Sequence, residues 1–101
     1  MAINRLLQWM GWKKRSAPHT PEVILYTRRT CHLCEEAKDL LKELQREEKF
    51  VFEEVDIDGD PELRLRFNDD VPVIYVHGRK SFKHRIDPRT FLKSLRAGRN
   101  G

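Results

Sequence analysis

Val23-Ile24-Leu25-Tyr26-Thr27-Arg28-Arg29-Thr30-Cys31-His32-Leu33-Cys34-Glu35-Glu36-Ala37 is the stretch that decides the fold. Val23 to Tyr26 is a short continuous apolar run, the pattern of a strand buried on both faces. Beyond a polar loop, Leu33, Ala37, Leu40, Leu41 and Leu44 recur at helical spacing, while Glu35, Glu36, Lys38, Lys42 and Glu43 take the other positions. Thr30 is placed to cap that helix, and Glu35 and Glu36 favour its first turn. Two cysteines therefore stand where a strand hands over, through a loop, to a helix N-terminus.

Working outward, Phe50 to Ile57 reads as a second strand. A strand, a helix and a strand in this order predict a right-handed βαβ unit with parallel strands. Asp58-Gly59-Asp60-Pro61 is a turn and a helix start, with Asp60 as cap and Pro61 at the first helical position. Leu63 and Phe67 then face inward. Val71-Pro72 precedes a third strand, Val73 to Val76, and His77-Gly78 is a two-residue turn into a fourth near Arg79–Phe82. Asp87-Pro88 opens a last helix with Phe91, Leu92 and Leu95 apolar. The predicted order is β-α-β-α-β-β-α around a four-stranded mixed sheet.

The whole chain has 101 residues, room for one domain. With 39% hydrophobic and 36% charged residues it is neither low-complexity nor disordered throughout. No run of 18 apolar residues is present, so no helix is expected to span a membrane. Two cysteines are too few to staple a secreted scaffold, and their close spacing points to a chemical site.

The chemistry follows from position. Unpaired N–H groups and a partial positive charge at a helix start stabilise a thiolate, and Arg28, Arg29 and His32 add positive charge. Cys31 is therefore expected to ionise below the ordinary thiol range. Cys34 lies one turn on, on the same face, which brings the sulfurs within bonding reach. It is also nearer the buried stripe of Leu33, Ala37 and Leu41. Cys31 is thus the candidate to attack a disulfide and Cys34 the candidate to resolve the mixed disulfide. Two other readings of the pair stay open: half of a zinc or iron–sulfur site, and a purely structural pair. A zinc site needs two more ligands, and His19, His32, His77 and His84 show no paired spacing. No metal ligand is assigned.

The segments Tyr26 to Ala37, Val55-Asp56-Ile57-Asp58 and Val71-Pro72-Val73-Ile74 together resemble the glutaredoxin-like branch of the thioredoxin fold, over about residues 22–97. The resemblance implies an α/β thioredoxin-like fold and a thiol–disulfide oxidoreductase using Cys31 and Cys34. It implies that Pro72 is a cis proline beside them; the lesser alternative, with the resemblance set aside, is a proline that merely starts a strand. Arg28 matches the family's lysine three residues before the first cysteine and is a candidate to hold a carboxylate, with Arg66 or Arg85 assisting. Val71 is the candidate to offer backbone groups to an extended substrate. The chain also departs from the family. His32-Leu33 replaces Pro-Tyr between the cysteines. The Gly-Gly turn after the third strand, and the segment that grips the ammonium end of glutathione, have no clear counterpart. The expected partners are protein or small-molecule disulfides, with glutathione as a co-substrate and no bound cofactor, in a monomer. The competing class is a non-enzymatic module of the same fold that holds a metal or iron–sulfur centre or binds a protein.

Charge divides the chain. Residues 1–21 hold Arg5, Lys13, Lys14 and Arg15 and no acid, while residues 22–101 carry 16 basic and 16 acidic residues. Within these, Glu35 to Asp70 is acidic and Val71 to Gly101 basic, either two solvated faces or a docking surface for a charged partner. Aromatic interleaving is lacking in the basic part, which argues against nucleic acid. Ile3, Leu6, Leu7 and Met10 make one helical face flanked by Trp9 and Trp12, and Ser16-Ala17-Pro18 reads as a linker to the domain at 22–101. Residues 1–21 read as a frayed or packed arm, as an interfacial membrane helix through residues 1–12, or as a transit peptide. A secretory signal is not expected, which places the protein in the cytoplasm.

Overall fold

A computed structural model describes residues 21–100. The readings of residues 1–21 fall almost wholly on 1–20, outside the described residues. Four strands and three α-helices follow the predicted order. They are β1 (Val23–Thr27), α1 (His32–Leu44), β2 (Phe52–Asp56), α2 (Pro61–Phe67), β3 (Val73–Val76), β4 (Arg79–Lys83) and α3 (Pro88–Asn100). Short 3-10 turns, Ile57–Gly59 and Asn68–Asp70, flank α2. The sheet order is β2-β1-β3-β4. β1 runs parallel to β2 and antiparallel to β3, and β3 and β4 form an antiparallel hairpin. This is the α/β thioredoxin-like fold with a four-stranded mixed sheet.

The sheet separates two apolar clusters. On one face Val23, Leu25, Ile74 and Val76 meet Ala37, Leu41 and Leu44 of α1 and Phe91 and Leu95 of α3. On the other, Val73 meets Ile57, Phe67 and Val71, with Tyr26, Leu63 and Tyr75 packed at the margin. β1 therefore does not have two fully buried faces as its apolar run suggested. Val23, Leu25 and Thr27 are buried, while Ile24 and Tyr26 are only half-buried. The physical reason is the seven-residue length of α2, about 10 Å of helix, which covers only part of its face. Burial of the Tyr26 phenol still raises its pKa above the ordinary tyrosine value.

Local signals place the element ends. Asp60 Oδ1 accepts from the N–H groups of Glu62 and Leu63, and Pro61 occupies the first helical position. Asp87 Oδ2 accepts from the Thr90 N–H and hydroxyl, which holds its carboxyl below the usual range. His77 and Gly78, both at positive φ, make the β3–β4 turn. The second strand is shorter than predicted: Phe50 and Ile57 leave the ladder to bury their side chains in the two clusters.

Candidate active site

The β1–α1 loop delivers the cysteines. Thr30, expected as the helix cap, lies at φ 52° and is not the capping residue. Cys31 takes that position: its backbone is extended, and its Sγ accepts from the Cys34 N–H at 3.1 Å. The shift by one residue puts the sulfur itself at the helix N-terminus, where the unpaired amides converge. Cys31 and Cys34 are joined as a disulfide with Cα atoms 5.2 Å apart.

The two cysteines differ in surroundings. Cys34 is 2% exposed, whereas Cys31 is partly exposed and lines an open depression with Arg28, Asp58, Asn68, Asp69 and Val71. Cys34 does not point into the stripe of Ala37 and Leu41. It joins Ile57, Phe67, Val71 and Val73 on the α2 side of the sheet. One helical turn thus supplies residues to both clusters, Ala37 to one and Cys34 to the other.

The peptide bond Val71–Pro72 is cis, as the family resemblance implied. Val71 and Pro72 are buried, and the Pro72 carbonyl accepts from the His84 N–H at 2.8 Å. Val71 shares the depression with Cys31, so the residue expected to meet a substrate backbone lies beside the sulfur expected to attack.

The charged candidates are more engaged than their sequence positions suggested. Arg28 Nη2 pairs with Asp58 Oδ1 at 3.1 Å, and its Nη1 donates to Asn68 Oδ1 at 3.4 Å. Its charge is thus neutralised in place. Arg29 is exposed and stands 3.8 Å from Asp56. His32 is 88% exposed; its Nε2 lies 3.0 Å from Glu36, which also faces Arg85 at 3.7 Å. Arg66 stacks over Phe67 on α2, its guanidinium carbon 6.0 Å from the ring centroid, and does not line the depression. Arg85 stands instead by a groove on the other flank of α1. Sequence reasoning missed Asp58, Asn68 and Asp69 as neighbours of Cys31. Asp58 lay in a quoted segment, but nothing in local spacing shows that it reaches Arg28. Glu36 was legible, since i and i+4 share a helix face with His32.

With this geometry in hand, similarity to other proteins becomes specific. Residues 22–96 match the Glutaredoxin-like domain (DUF836). The chain belongs to this glutaredoxin-like family. A relative is the glutaredoxin-like protein YDR286C homolog of Dictyostelium discoideum, 37% identical over 68 residues. That match covers 61% of this glutaredoxin-like chain and 63% of the relative, less than two thirds of its length. The uncharacterized protein Rv0508 of Mycobacterium tuberculosis is 35% identical over 72 residues, 66% of this chain and 74% of that one. Among solved structures, protein Ne2328 of Nitrosomonas europaea superposes with a TM-score of 0.65 at 30% identity, covering 82% of this chain and 99% of that one. Reduced thioredoxin of Schistosoma mansoni superposes at 0.53 with 18% identity, over 79% of this chain and 82% of that one, a likeness of fold.

Proposed function

We propose that this glutaredoxin-like protein is a thiol–disulfide oxidoreductase that works through Cys31 and Cys34. The observation that carries the reading is the asymmetry of the pair. One sulfur caps a helix and opens onto a depression; the other sits buried behind it, within bonding distance. In the reduced protein, the Cys31 thiolate attacks one sulfur of a substrate disulfide. A bond forms from Cys31 to that sulfur, and the other substrate sulfur leaves as a thiolate that takes a proton. Cys34, deprotonated, then attacks Cys31, the Cys31–Cys34 bond forms, and the second substrate thiol departs. Two electrons pass from the dithiol to the substrate. The reverse sequence oxidises a dithiol.

The helix N-terminus favours the Cys31 anion in this sequence, and burial among Ile57, Phe67 and Val73 disfavours the Cys34 anion until it reacts. Val71 positions an extended substrate beside Cys31. Among the described residues no group of three or more His, Cys, Asp or Glu side chains gathers as a metal site. Among the same residues no helix is long and apolar enough to cross a membrane. We place the reaction in the cytoplasm, in a monomer, on protein or small-molecule disulfides, with glutathione as a weak co-substrate.

The test is stoichiometric reduction of bis(2-hydroxyethyl) disulfide by the pre-reduced protein. Wild type should release two thiols and end as the intramolecular disulfide. Cys31→Ser should release none, and Cys34→Ser should stop at a mixed disulfide on Cys31. Equal activity in Cys31→Ser and wild type would overturn the assignment.

A further inference from the structure

A groove runs along the opposite flank of α1 from the depression at Arg28. Leu33, Ala37, Leu40 and Ile86 form its apolar lining, and Glu36, His84 and Arg85 stand along it. It begins inside the dithiol loop, since Leu33 lies between the cysteines and is half-exposed. Its other wall is the β4–α3 loop, which the His84 N–H to Pro72 carbonyl bond ties to the same proline segment that carries Val71. The groove and the depression share no lining residue; Leu33 and Cys31, close neighbours in the dithiol loop, line one each.

Its charged lining is Glu36 and Arg85, and further basic side chains flank the loop outside it. Lys83, Arg85 and Arg89 are all exposed, on the end of β4, the loop and the first turn of α3. Lys83 has only a 3.8 Å contact with Asp70, and Arg85 only the 3.7 Å contact with Glu36. Glu36 is itself shared with His32 at 3.0 Å. Asp87, the remaining acid of the loop, is held by Thr90 as the cap of α3. The basic rim is thus under-compensated next to an apolar trough, which is complementary to an acidic and apolar segment.

We propose that this groove selects protein disulfides whose cysteine is flanked by an apolar residue and then an acidic one. The apolar side chain lies against Leu33, Leu40 and Ile86, and the acid meets Arg85. The proposal rests on the oxidoreductase reading and names its substrate class. Transfer of one aliphatic side chain into a half-open trough, against a serine, corresponds to about tenfold in rate constant. An exposed ion pair adds about three- to fivefold at low salt.

The experiment uses the full chain, pre-reduced, in single turnover against three probes: bis(2-hydroxyethyl) disulfide, and two peptide disulfides with Leu-Glu or Ser-Lys beside the cysteine. Acid-quenched samples report the peptide thiols. Wild type should reduce the Leu-Glu peptide at least tenfold faster than the Ser-Lys peptide, with the gap narrowing in high salt. Arg85→Glu should cut that preference severalfold while leaving the small disulfide unchanged. Arg79→Glu, the same charge change at the far end of β4, should leave the preference intact. Equal peptide rates with normal turnover of the small disulfide would overturn the groove and spare the oxidoreductase reading. Equal losses in Arg85→Glu and Arg79→Glu would show a net-charge effect and also overturn it. No turnover of any probe would overturn both.

Discussion

At the scale of single residues, Cys31 and Cys34 have the same chemistry and opposite surroundings. A thiolate at Cys31 faces unpaired helix amides and the depression, while one at Cys34 would be buried among Ile57, Phe67, Val71 and Val73. Alkylation of the reduced protein should therefore be selective. Below pH 7, iodoacetamide should label Cys31 at least tenfold faster than Cys34, as read by peptide mass mapping across pH. Equal, slow labelling with an ordinary thiol profile would remove the basis for assigning the attacking role to Cys31.

Arg28 decides a second matter at this scale. A glutathione carboxylate that reached it would have to displace Asp58 and Asn68. Losing one charge-assisted contact costs about 1.5–3 kcal/mol, or about one to two orders of magnitude. A glutathione mixed disulfide should accordingly turn over more slowly than a protein disulfide with the same preparation. Asp58→Asn should release Arg28 and raise the glutathione rate; no change in that variant would show that Arg28 does not meet the substrate.

At the scale of elements, the α3–turn contact weighs two opposed effects. Gly98 lies inside α3, where replacement by Ala usually stabilises by about 1 kcal/mol. A Cβ there would run into the imidazole of His77, whose Nε2 bonds the Leu95 carbonyl at 2.9 Å. Displacing that hydrogen bond costs about 0.5–1.5 kcal/mol. Gly98→Ala should thus be near neutral alone, yet stabilise by about 1 kcal/mol in a His77→Asn background, where Asn tolerates the positive φ. Denaturant unfolding of the four proteins measures the coupling; simple additivity would contradict it.

The same scale shows what was legible in the chain. The helix of α1, the Asp60-Pro61 start and the His77-Gly78 turn depend on neighbours within a few residues, so spacing alone revealed them. The capping role passed from Thr30 to Cys31 because a one-residue shift costs nothing in the apolar pattern. The side of the sheet that Cys34 faces, and the links of Arg28 to Asp58 and Asn68 across 30 and 40 residues, depend on how loops meet after folding. No periodicity encodes those. The cysteine pair was therefore readable, and the polar lining of its depression was not.

At the scale of the whole molecule, the end remote from the cysteines is held by charge. Arg99, in the last turn of α3, donates to both carboxylate oxygens of Glu22 at 2.7 and 3.0 Å, to Glu48 at 2.9 Å and to the Lys49 carbonyl. This joins chain segments 77 residues apart. The Arg99 bond holds the Glu22 carboxyl below the usual glutamate value, against a smaller opposing effect of burial. A depressed carboxylate stabilises the fold above its unfolded pKa, and that contribution fades as pH falls through the folded value. Arg99→Met should cost about 1 kcal/mol at pH 7, or about 5 °C in melting temperature for a domain of this size. The gap between the two proteins should narrow below about pH 4, near the ordinary glutamate value. A gap that is constant from pH 7 to pH 3 would assign the effect to packing of the Arg99 stem.

The account as a whole stands on a reversible two-electron exchange at one pair of sulfurs. A redox titration of the protein in glutathione buffers, followed by acid trapping and mass measurement, reads that exchange directly. The account predicts a single reversible transition between the dithiol and the Cys31–Cys34 disulfide, fitted by two electrons and absent from Cys31→Ser. A pair that stays reduced or oxidised across the whole range, or that oxidises only by forming dimers, would contradict it.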